Sequence, residues 1–144
     1  MIRELNPADL DGLMELYTHL HDNPIPDKSD DLLSLWDRII TDNSHHIVVA
    51  EIEGRIVSSC VCVIIPNLTH NQRPYALVEN VVTHPDYRGK GLATACLDKA
   101  KQIARSEDCY KMMLLTGSKE QSTLAFYERA GYNRNDKTAF IQWL

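Results

Sequence analysis

The feature that most constrains this chain is a glycine-bearing turn between an apolar run and an amphipathic segment, within residues 78–93. β-Branched residues fill the run before the turn, which predicts a strand. After Gly91, apolar residues recur at a spacing of three and four, which predicts a helix. The N–H groups that open such a helix lack partners inside it and lie at the positive end of its dipole. With the cations Arg88 and Lys90 beside them, these amides are typical of a diphosphate-binding turn.

Two other glycine-rich phosphate motifs do not fit this turn. A P-loop has Ser or Thr directly after its Gly-Lys pair, whereas Gly91 follows Lys90 here. The dinucleotide fingerprint has a third glycine at the position that Thr94 occupies. That fingerprint also belongs to the first strand–helix turn of its domain, and this turn lies beyond the middle of the chain. The alternative that stays open is a structural turn that binds nothing.

The order of the predicted elements indicates a mixed sheet. Two helices come first, one capped by Asn6 and one with Leu33 and Trp36 on its buried side. The predicted elements that follow are a hairpin of residues 47–52 and 56–65, strands at 75–83 and 112–115, helices after Gly91 and over about 122–130, and a terminal strand at 138–144. We therefore expect an α/β (α+β) fold, with a central, mostly antiparallel sheet flanked by helices on both faces. A length of 144 residues suits one domain over residues 1–144.

Composition and sequence patterns limit the possible binding partners and the expected cellular location. The net charge of -5 argues against nucleic acid as a partner. No apolar run approaches the roughly 18 residues that span a bilayer, and the N-terminus lacks the layout of a secretory signal, so no membrane contact and a cytoplasmic location are expected. The four cysteines, Cys60, Cys62, Cys96 and Cys109, form no CxxC pair and are expected to be buried free thiols. No pair of histidines has the spacing of a metal site, so no metal is expected.

The turn and a second motif together resemble the GCN5-related N-acetyltransferase (GNAT) superfamily. Arg88-x-x-Gly91-x-Ala93 matches its signature of Arg or Gln, two residues, Gly, one residue, and Gly or Ala. Residues 126–132 resemble its second motif, a Tyr followed four residues later by Gly and an aromatic residue. The separation of the motifs and the element order also match, so the likeness covers nearly the whole chain. It implies the GNAT fold and transfer of the acetyl group of acetyl-CoA to a primary amine.

The resemblance also implies the residues that bind acetyl-CoA. In the family, the backbone amides of the turn hold the CoA pyrophosphate, a role that falls here on Arg88, Gly89, Lys90, Gly91, Leu92 and Ala93. The main chain of the preceding strand binds the pantetheine arm, which by position corresponds to Val81, Val82 and Thr83. The N–H near Val81 would face the thioester oxygen as an oxyanion donor.

Tyr127 is the first candidate catalytic residue. The resemblance places its hydroxyl near the CoA sulfur, where it can donate a proton or a hydrogen bond to the departing thiolate. The alternative is a core aromatic residue, because Leu124, Tyr127 and Ala130 share helical spacing. Many relatives have Asn seven residues before this Tyr, and Glu120 stands there instead.

Glu79 is the second candidate, as the base that deprotonates the amine directly or through a water. It lies in an apolar strand, where desolvation would make a carboxylate a stronger proton acceptor. The alternative is that Glu79 pairs with a cation or points to solvent. No cysteine or serine is placed as a nucleophile, so we expect direct attack in a ternary complex and no acetyl-enzyme.

The acceptor is the least constrained part of the hypothesis. We expect a small-molecule amine; a protein or peptide N-acetyltransferase and a catalytically silent acyl-CoA-binding module stay open. Residues 78–82 and 109–111 look similar to glucosamine-6-phosphate N-acetyltransferases, and Arg73 could meet an acceptor phosphate. The acidic residues of the first loop would attract an ammonium group or serve as caps and turns: Asp22, Asp27, Asp30 and Asp31. The terminal strand, with Phe140 and Trp143, suggests a homodimer.

Overall fold

The computed structural model describes all residues 1–144, and its sheet is mixed as predicted. The elements are β1 (Ile2–Glu4), a 3-10 turn (Pro7–Asp9), α1 (Leu10–Tyr17), α2 (Asp30–Thr41), β2 (His45–Ile52), β3 (Arg55–Ile65), β4 (Tyr75–Thr83), a second 3-10 turn (Pro85–Tyr87), α3 (Leu92–Ser106), β5 (Met112–Leu114) and α4 (Gln121–Arg129). The strand order is β1-β2-β3-β4-β5, antiparallel except for the parallel pair β4–β5. The parallel pair is joined through α3, as a β-α-β crossover requires. No helix is long and apolar enough to cross a membrane.

The β2–β3 hairpin is confirmed at the predicted turn. Glu53 and Gly54 have positive φ values of 50° and 77°, the pattern of a type I′ turn, whose twist matches that of paired strands. The sequence pattern missed β1, because three residues are too few to show alternation. Ile2–Glu4 forms this strand only by pairing with residues 48–50 of β2.

The sheet carries an apolar cluster on each face. One lies between the sheet and α3 and contains Val48, Val57, Cys60, Val78 and Cys96 among its buried members. The other lies under α1 and α2 and contains Leu13, Leu16, Val49, Val61 and Val82 among its members. Helices on both faces therefore bury the centre of the sheet, as predicted from the element order.

The start of the first helical segment is capped as predicted, but α2 is less buried than predicted. Asn6 accepts a hydrogen bond from the Ala8 N–H, and its own N–H donates to Asp9, which completes the predicted cap. No residue of α2 is fully buried, and Leu33 is exposed. Trp36 does pack against the cluster under α1 and α2, so α2 covers the edge of that cluster only.

The predicted terminal strand at 138–144 is wrong for this structure. The segment has no regular secondary structure and is exposed throughout. A strand exists only when its N–H and C=O groups pair with a neighbour. No strand of the five-stranded sheet pairs with this segment in the chain, although β5 is an edge strand.

Candidate active site

The pairing of β4 with β5 stops part-way along β4, and the space beside the unpaired part of β4 is called the groove below. The two strands pair over three positions only, from Ala76 with Met112 to Val78 with Leu114. β4 then continues to Thr83, so its last five residues have no partner on the β5 side. The main chain of residues 79–83 thus forms a free strand edge, which includes the predicted pantetheine-binding residues Val81, Val82 and Thr83. Such an edge can hydrogen-bond an extended ligand through its backbone.

A β-bulge interrupts β4 at the start of this free edge. Val61 pairs with Glu79 and Ser59 pairs with Val82, so Asn80 and Val81 together oppose the single residue Cys60. Asn80 has a φ of 50°, which reverses the local pleat. As a result Val81 packs on the α3 face, as Val78 does, while Val82 packs under α1. The bulge re-aims the backbone at the point where the groove begins.

The predicted diphosphate turn ends at an open helix start. Gly89 and Gly91 have φ values of 73° and 77°, a conformation that favours glycine, and a Cβ at either position would meet no atom within 4 Å. None of the six amides from Gly89 to Thr94 donates to an acceptor within the chain. The first turn of α3 also lacks an acidic residue, and its N-cap has no side-chain bond. These amides are therefore free to bind an anion such as a diphosphate.

The two cations of the turn are held differently. Arg88 Nε donates to the Thr83 carbonyl at 3.3 Å, which ties the turn to the end of β4. Lys90 Nζ lies 4.7 Å from the centre of the Tyr87 ring, a cation–π geometry that keeps the ammonium at the surface. The turn residues 88–91 are exposed, and Leu92 and Ala93 are half-buried. The structure thus brings together all six residues predicted to bind the pyrophosphate.

Tyr127 lies on α4, on the α3 face of the sheet. Its ring packs against the cluster under α3, with centroids 5.0 Å from Phe126 and 6.3 Å from Tyr132. The side chain is half-buried, and this desolvation raises the pKa of the phenol, with a smaller contribution from Cys60. Cys60 lies opposite the bulge. Tyr127 is therefore a packing residue whose phenol stays protonated at neutral pH, and its role as a proton donor stays a prediction.

Glu79 lies at the mouth of the groove but is not desolvated. It pairs with Val61 of β3, directly before the bulge, and its side chain is exposed. The expectation that an apolar strand buries this carboxylate is wrong, because β5 ends before it and leaves the strand uncovered there. It forms no salt bridge with any cation of the chain. Glu79 follows Val78, so it points to the face opposite Val78 and Tyr127.

Sequence reasoning missed two hydroxyl groups beside the bulge. The Tyr17 hydroxyl of α1 and the Ser59 hydroxyl of β3 are both buried and lack a hydrogen-bond partner. Burial raises the pKa of Tyr17 to about 12, although Asn80 and Ser59 are polar neighbours that act in the opposite direction. Nothing in the sequence marks these residues, because α1 and the bulge are brought together only by the packing of α1 on the sheet.

A comparison with known protein families decides which protein class has this arrangement. A sequence model of the Acetyltransferase (GNAT) family matches residues 10–132, which include the bulge, the turn and Tyr127. The chain belongs to the GNAT acetyltransferase family. It is accordingly an acetyl-CoA-dependent N-acetyltransferase, and the open cradle before α3 fits the diphosphate of that cosubstrate.

Individual relatives of this GNAT acetyltransferase agree. A glucosamine 6-phosphate N-acetyltransferase from Trypanosoma brucei brucei is 33% identical over 141 residues, covering 94% of this chain and 90% of the relative. A provisionally assigned acetyltransferase from Agrobacterium tumefaciens str. C58 has a solved structure with a TM-score of 0.91, 34% identity and 99% coverage of both chains. A glucosamine-6-phosphate N-acetyltransferase from Arabidopsis thaliana has a TM-score of 0.85, 24% identity and coverage of 99% of this chain and 97% of its own, which shows the shared fold.

The cysteines of this GNAT acetyltransferase are placed as predicted for core residues. Cys60, Cys62 and Cys96 are buried in the cluster under α3, and Cys109 is half-buried. Burial is the largest cause that raises the pKa of each thiol, to about 11 for Cys62 and Cys96. These groups are therefore thiols, not thiolates, at neutral pH.

Glu120 and Arg73 make structural contacts that the sequence did not predict. Glu120 is the N-cap of α4; its side chain makes no capping bond and is exposed, while its carbonyl accepts from Thr123 and Leu124. Arg73 donates to the carbonyls of Asp108 and Cys109, at the opposite end of β4 from the turn. The guanidinium of Arg73 thus joins two loops at that end of the sheet, and its contact with an acceptor phosphate stays a prediction.

Proposed function

We propose that this GNAT acetyltransferase transfers the acetyl group to the primary amine of a small molecule, by direct attack in a ternary complex. The observation that carries the proposal is the free edge of β4 between the cradle and the bulge, with Tyr127 and Glu79 on opposite faces. Acetyl-CoA reaches the bulge along one side of this edge, and the amine approaches from the face of α1 and α2. Only the backbone of β4 separates the two.

In this proposal the pyrophosphate binds the amides of residues 88–93, and the pantetheine arm pairs with residues 81–83. Five of these six N–H groups, those of residues 89–93, are free and lie at the positive end of a 15-residue helix, which supports the first assignment. The sixth, from Arg88, donates to the Pro85 carbonyl at 3.2 Å. The unpaired edge of β4 supports the second. Val82 is buried under α1, so its side chain is free to be apolar while its main chain binds the ligand. The Val81 N–H, at the bulge, would stabilise negative charge on the thioester oxygen.

The chemistry needs one proton acceptor and one proton donor. Glu79, directly or through a water, takes a proton from the ammonium, and the neutral nitrogen attacks the thioester carbon. The C–N bond forms, and the nitrogen releases its second proton to water to give the neutral amide. The C–S bond breaks, and Tyr127 gives its proton to the departing thiolate. Its raised pKa keeps the phenol protonated and able to donate at neutral pH. Tyr127 then recovers a proton from solvent.

The buried cysteines support direct attack. An acetyl-enzyme would need a thiolate or alkoxide that reaches the groove. Burial keeps Cys60, Cys62 and Cys96 protonated, and each lies inside the cluster under α3. A double-reciprocal kinetic pattern with intersecting lines is expected; parallel lines would indicate an acetyl-enzyme instead.

We expect Glu79→Gln to remove the acidic limb of the pH profile of kcat/KM. The amide cannot accept a proton, so the rate should depend on pH only through the ammonium of the acceptor. The measurement is kcat/KM against pH for both proteins, with Glu107→Gln as the control. Glu107 is another exposed carboxylate, at the end of α3. A Glu79→Gln profile that keeps the wild-type acidic limb would assign the proton transfer to another group.

The acceptor class is best tested with matched amines. The similarity to the trypanosomal glucosamine 6-phosphate N-acetyltransferase makes amino sugar phosphates the first class to assay. Release of free CoA would be measured with glucosamine and glucosamine 6-phosphate as a pair, then with polyamines, aminoglycosides and peptides. Glucosamine 6-phosphate preferred over glucosamine would identify a sugar phosphate acceptor. Turnover of peptides alone would favour a protein acetyltransferase, and CoA binding without turnover of any amine would favour a silent module.

Two of the four acidic residues considered for the acceptor site also have a structural role. Asp30 and Asp31 lie in the first turn of α2, where negative charge interacts favourably with the helix dipole. Lys28 pairs with Asp11 at 2.8 Å, so one carboxylate of this region is already neutralised. Some of the negative charge around the loop thus interacts with other groups of the chain.

A further inference from the structure

We propose that Asn80 is a further acceptor-binding residue and that the buried hydroxyl of Tyr17 positions it. The carboxamide oxygen of Asn80 accepts one N–H of the acceptor ammonium beside Glu79, while the carboxamide N–H donates to the Tyr17 oxygen. The inference rests on the proposed function, because it concerns the amine that is acetylated. It assigns a residue that recognises the amine group itself, whichever molecule carries that group.

Two buried hydroxyl groups lie behind Asn80 without a partner. The Tyr17 hydroxyl of α1 and the Ser59 hydroxyl of β3 have no hydrogen bond within the chain. Ser59 is fully buried, and it pairs with Val49 of β2 and Val82 of β4, which both lie under α1. Its side chain therefore points to the face of α1, as Tyr17 does. An unpaired buried hydroxyl destabilises a fold, so two neighbouring ones call for an explanation.

Asn80 can give the Tyr17 hydroxyl the partner that it lacks. Asn80 and Ser59 are the polar side chains next to this hydroxyl, and Asn80 acts to lower the pKa of Tyr17, against the larger effect of burial. That direction is the one expected when an amide N–H donates to the tyrosine oxygen, because such a bond favours the phenolate. The Tyr17 O–H can in turn donate to the Ser59 oxygen. An ammonium that fixes the Asn80 carboxamide thus completes both bonds.

The backbone at Asn80 indicates that its side chain has a use. Its φ of 50° lies in the left-handed region, which glycine adopts at no steric cost. A bulge that needed only this conformation would be served best by glycine. Asn tolerates the conformation and keeps a carboxamide, and here that group is exposed on the free edge of β4. With its N–H turned toward Tyr17, the carboxamide presents its oxygen to the groove.

Asn80 lies between the two groups that the reaction brings together. Glu79, the base of the proposed mechanism, directly precedes it, and Val81, whose N–H faces the thioester oxygen in that mechanism, directly follows it. An ammonium group has three N–H donors and no acceptor, so a second oxygen beside the carboxylate suits it. A carboxamide is also neutral. It holds the nitrogen without competing with Glu79 for the proton and without the repulsion of a second carboxylate.

Asn80→Gly tests the amine contact, because glycine keeps the positive φ and removes the carboxamide. Steady-state kinetics would be measured with glucosamine, glucosamine 6-phosphate, spermidine and kanamycin. For every amine that the wild-type enzyme acetylates, the KM for the amine should rise about 10- to 100-fold, the effect of losing a hydrogen bond to a charged group. The KM for acetyl-CoA should stay at the wild-type value. The control is Asn71→Gly, since Asn71 is another exposed Asn, with a φ of 58°, in the β3–β4 loop.

Tyr17→Phe tests the positioning role, because the ring and its packing under α1 are kept. The KM for the amine should rise about 3- to 10-fold, the effect of losing a neutral hydrogen bond, with the KM for acetyl-CoA unchanged. In the Asn80→Gly background the same substitution should have no further effect, because Tyr17 acts through Asn80. The control is Tyr132→Phe, which removes another buried hydroxyl without a partner, on the α3 face of the sheet.

The outcomes separate this inference from the proposed function. Acetylation of any of the four amines with an unchanged KM in Asn80→Gly would overturn the inference and leave the proposed function intact. The same rise in KM in Asn71→Gly would overturn it too, because the effect would then be general. A Tyr17→Phe effect of equal size in both backgrounds would overturn the positioning role. Acetylation of none of the four amines by the wild-type enzyme would overturn the proposed function and this inference together.

Discussion

Replacing Gly91 by Val is expected to lower the affinity for CoA by on the order of 100-fold or more. Gly91 has a φ of 77° at the start of α3, and a β-branched residue in this left-handed region costs about 1–2 kcal/mol. The backbone would relax toward negative φ and turn the following amides out of line. Misaligning two charge-assisted hydrogen bonds, each contributing about 1.5–3 kcal/mol, accounts for the predicted loss. Isothermal titration calorimetry with CoA measures it.

The chain provides a matched control in Gly54. This residue also has a φ of 77°, and a Cβ on it would likewise meet no atom within 4 Å, but it lies in the β2–β3 turn. Gly54→Val should lower thermal stability about as much as Gly91→Val while CoA binding stays at the wild-type level. Unchanged affinity in Gly91→Val would show that the amides before α3 do not hold the diphosphate. Equal loss of affinity in both variants would assign the effect to general destabilisation.

Tyr127→Phe is expected to lower kcat by roughly 10- to 1000-fold, the range for loss of an acid or a thiolate donor. The KM for acetyl-CoA should change little, because the ring and its packing against Phe126 are preserved. Since the pKa of Tyr127 is raised, the wild-type enzyme should lose this proton donor only above about pH 10, the ordinary value for tyrosine. Steady-state kinetics of both proteins across the pH range give these quantities.

Tyr132→Phe is the control for that experiment. Its ring centroid lies 6.3 Å from that of Tyr127, and its hydroxyl is buried without a hydrogen-bond partner. Removing an unsatisfied buried hydroxyl is neutral or stabilising, so this variant should keep the wild-type kcat and at least the wild-type free energy of unfolding. If Tyr127→Phe kept the wild-type kcat, Tyr127 would have no part in the transfer. A matching loss of kcat in Tyr132→Phe would point instead to repacking of α4.

The parts of the site that depend on neighbouring residues were predictable. The turn before α3 needs glycine at positive φ and amides at a helix start, and both are properties of a few consecutive residues. The same is true of the Glu53-Gly54 hairpin and the Asn6 cap. The family resemblance added Tyr127 to the predicted site, because the second motif specifies a tyrosine at that position. A motif does not specify how far that side chain is buried.

Properties that arise from pairing between distant segments were not predictable from the chain alone. β1 exists because three residues meet β2, and residues 138–144 form no strand because nothing in the chain meets them. The exposure of Glu79 follows from where β5 ends, and the bulge at Asn80 follows from the register of β3 against β4. The contacts of Arg73 were unpredictable for the same reason, because its partners are two carbonyls about 35 residues further along the chain.

By itself, the sequence determined the types of the longer elements, the mixed sheet, the glycine-bearing turn before α3 and the family to which the chain belongs. Periodicity, caps and glycine conformations act over a few residues, so the order of amino acids specifies them directly. Only the tertiary structure decided that β4 leaves β5 after Val78, that Glu79 stays in solvent while Tyr127 is half-buried, and that the orphan hydroxyls of Tyr17 and Ser59 lie beside the bulge. Each of these depends on which segments pack together and where their pairing stops.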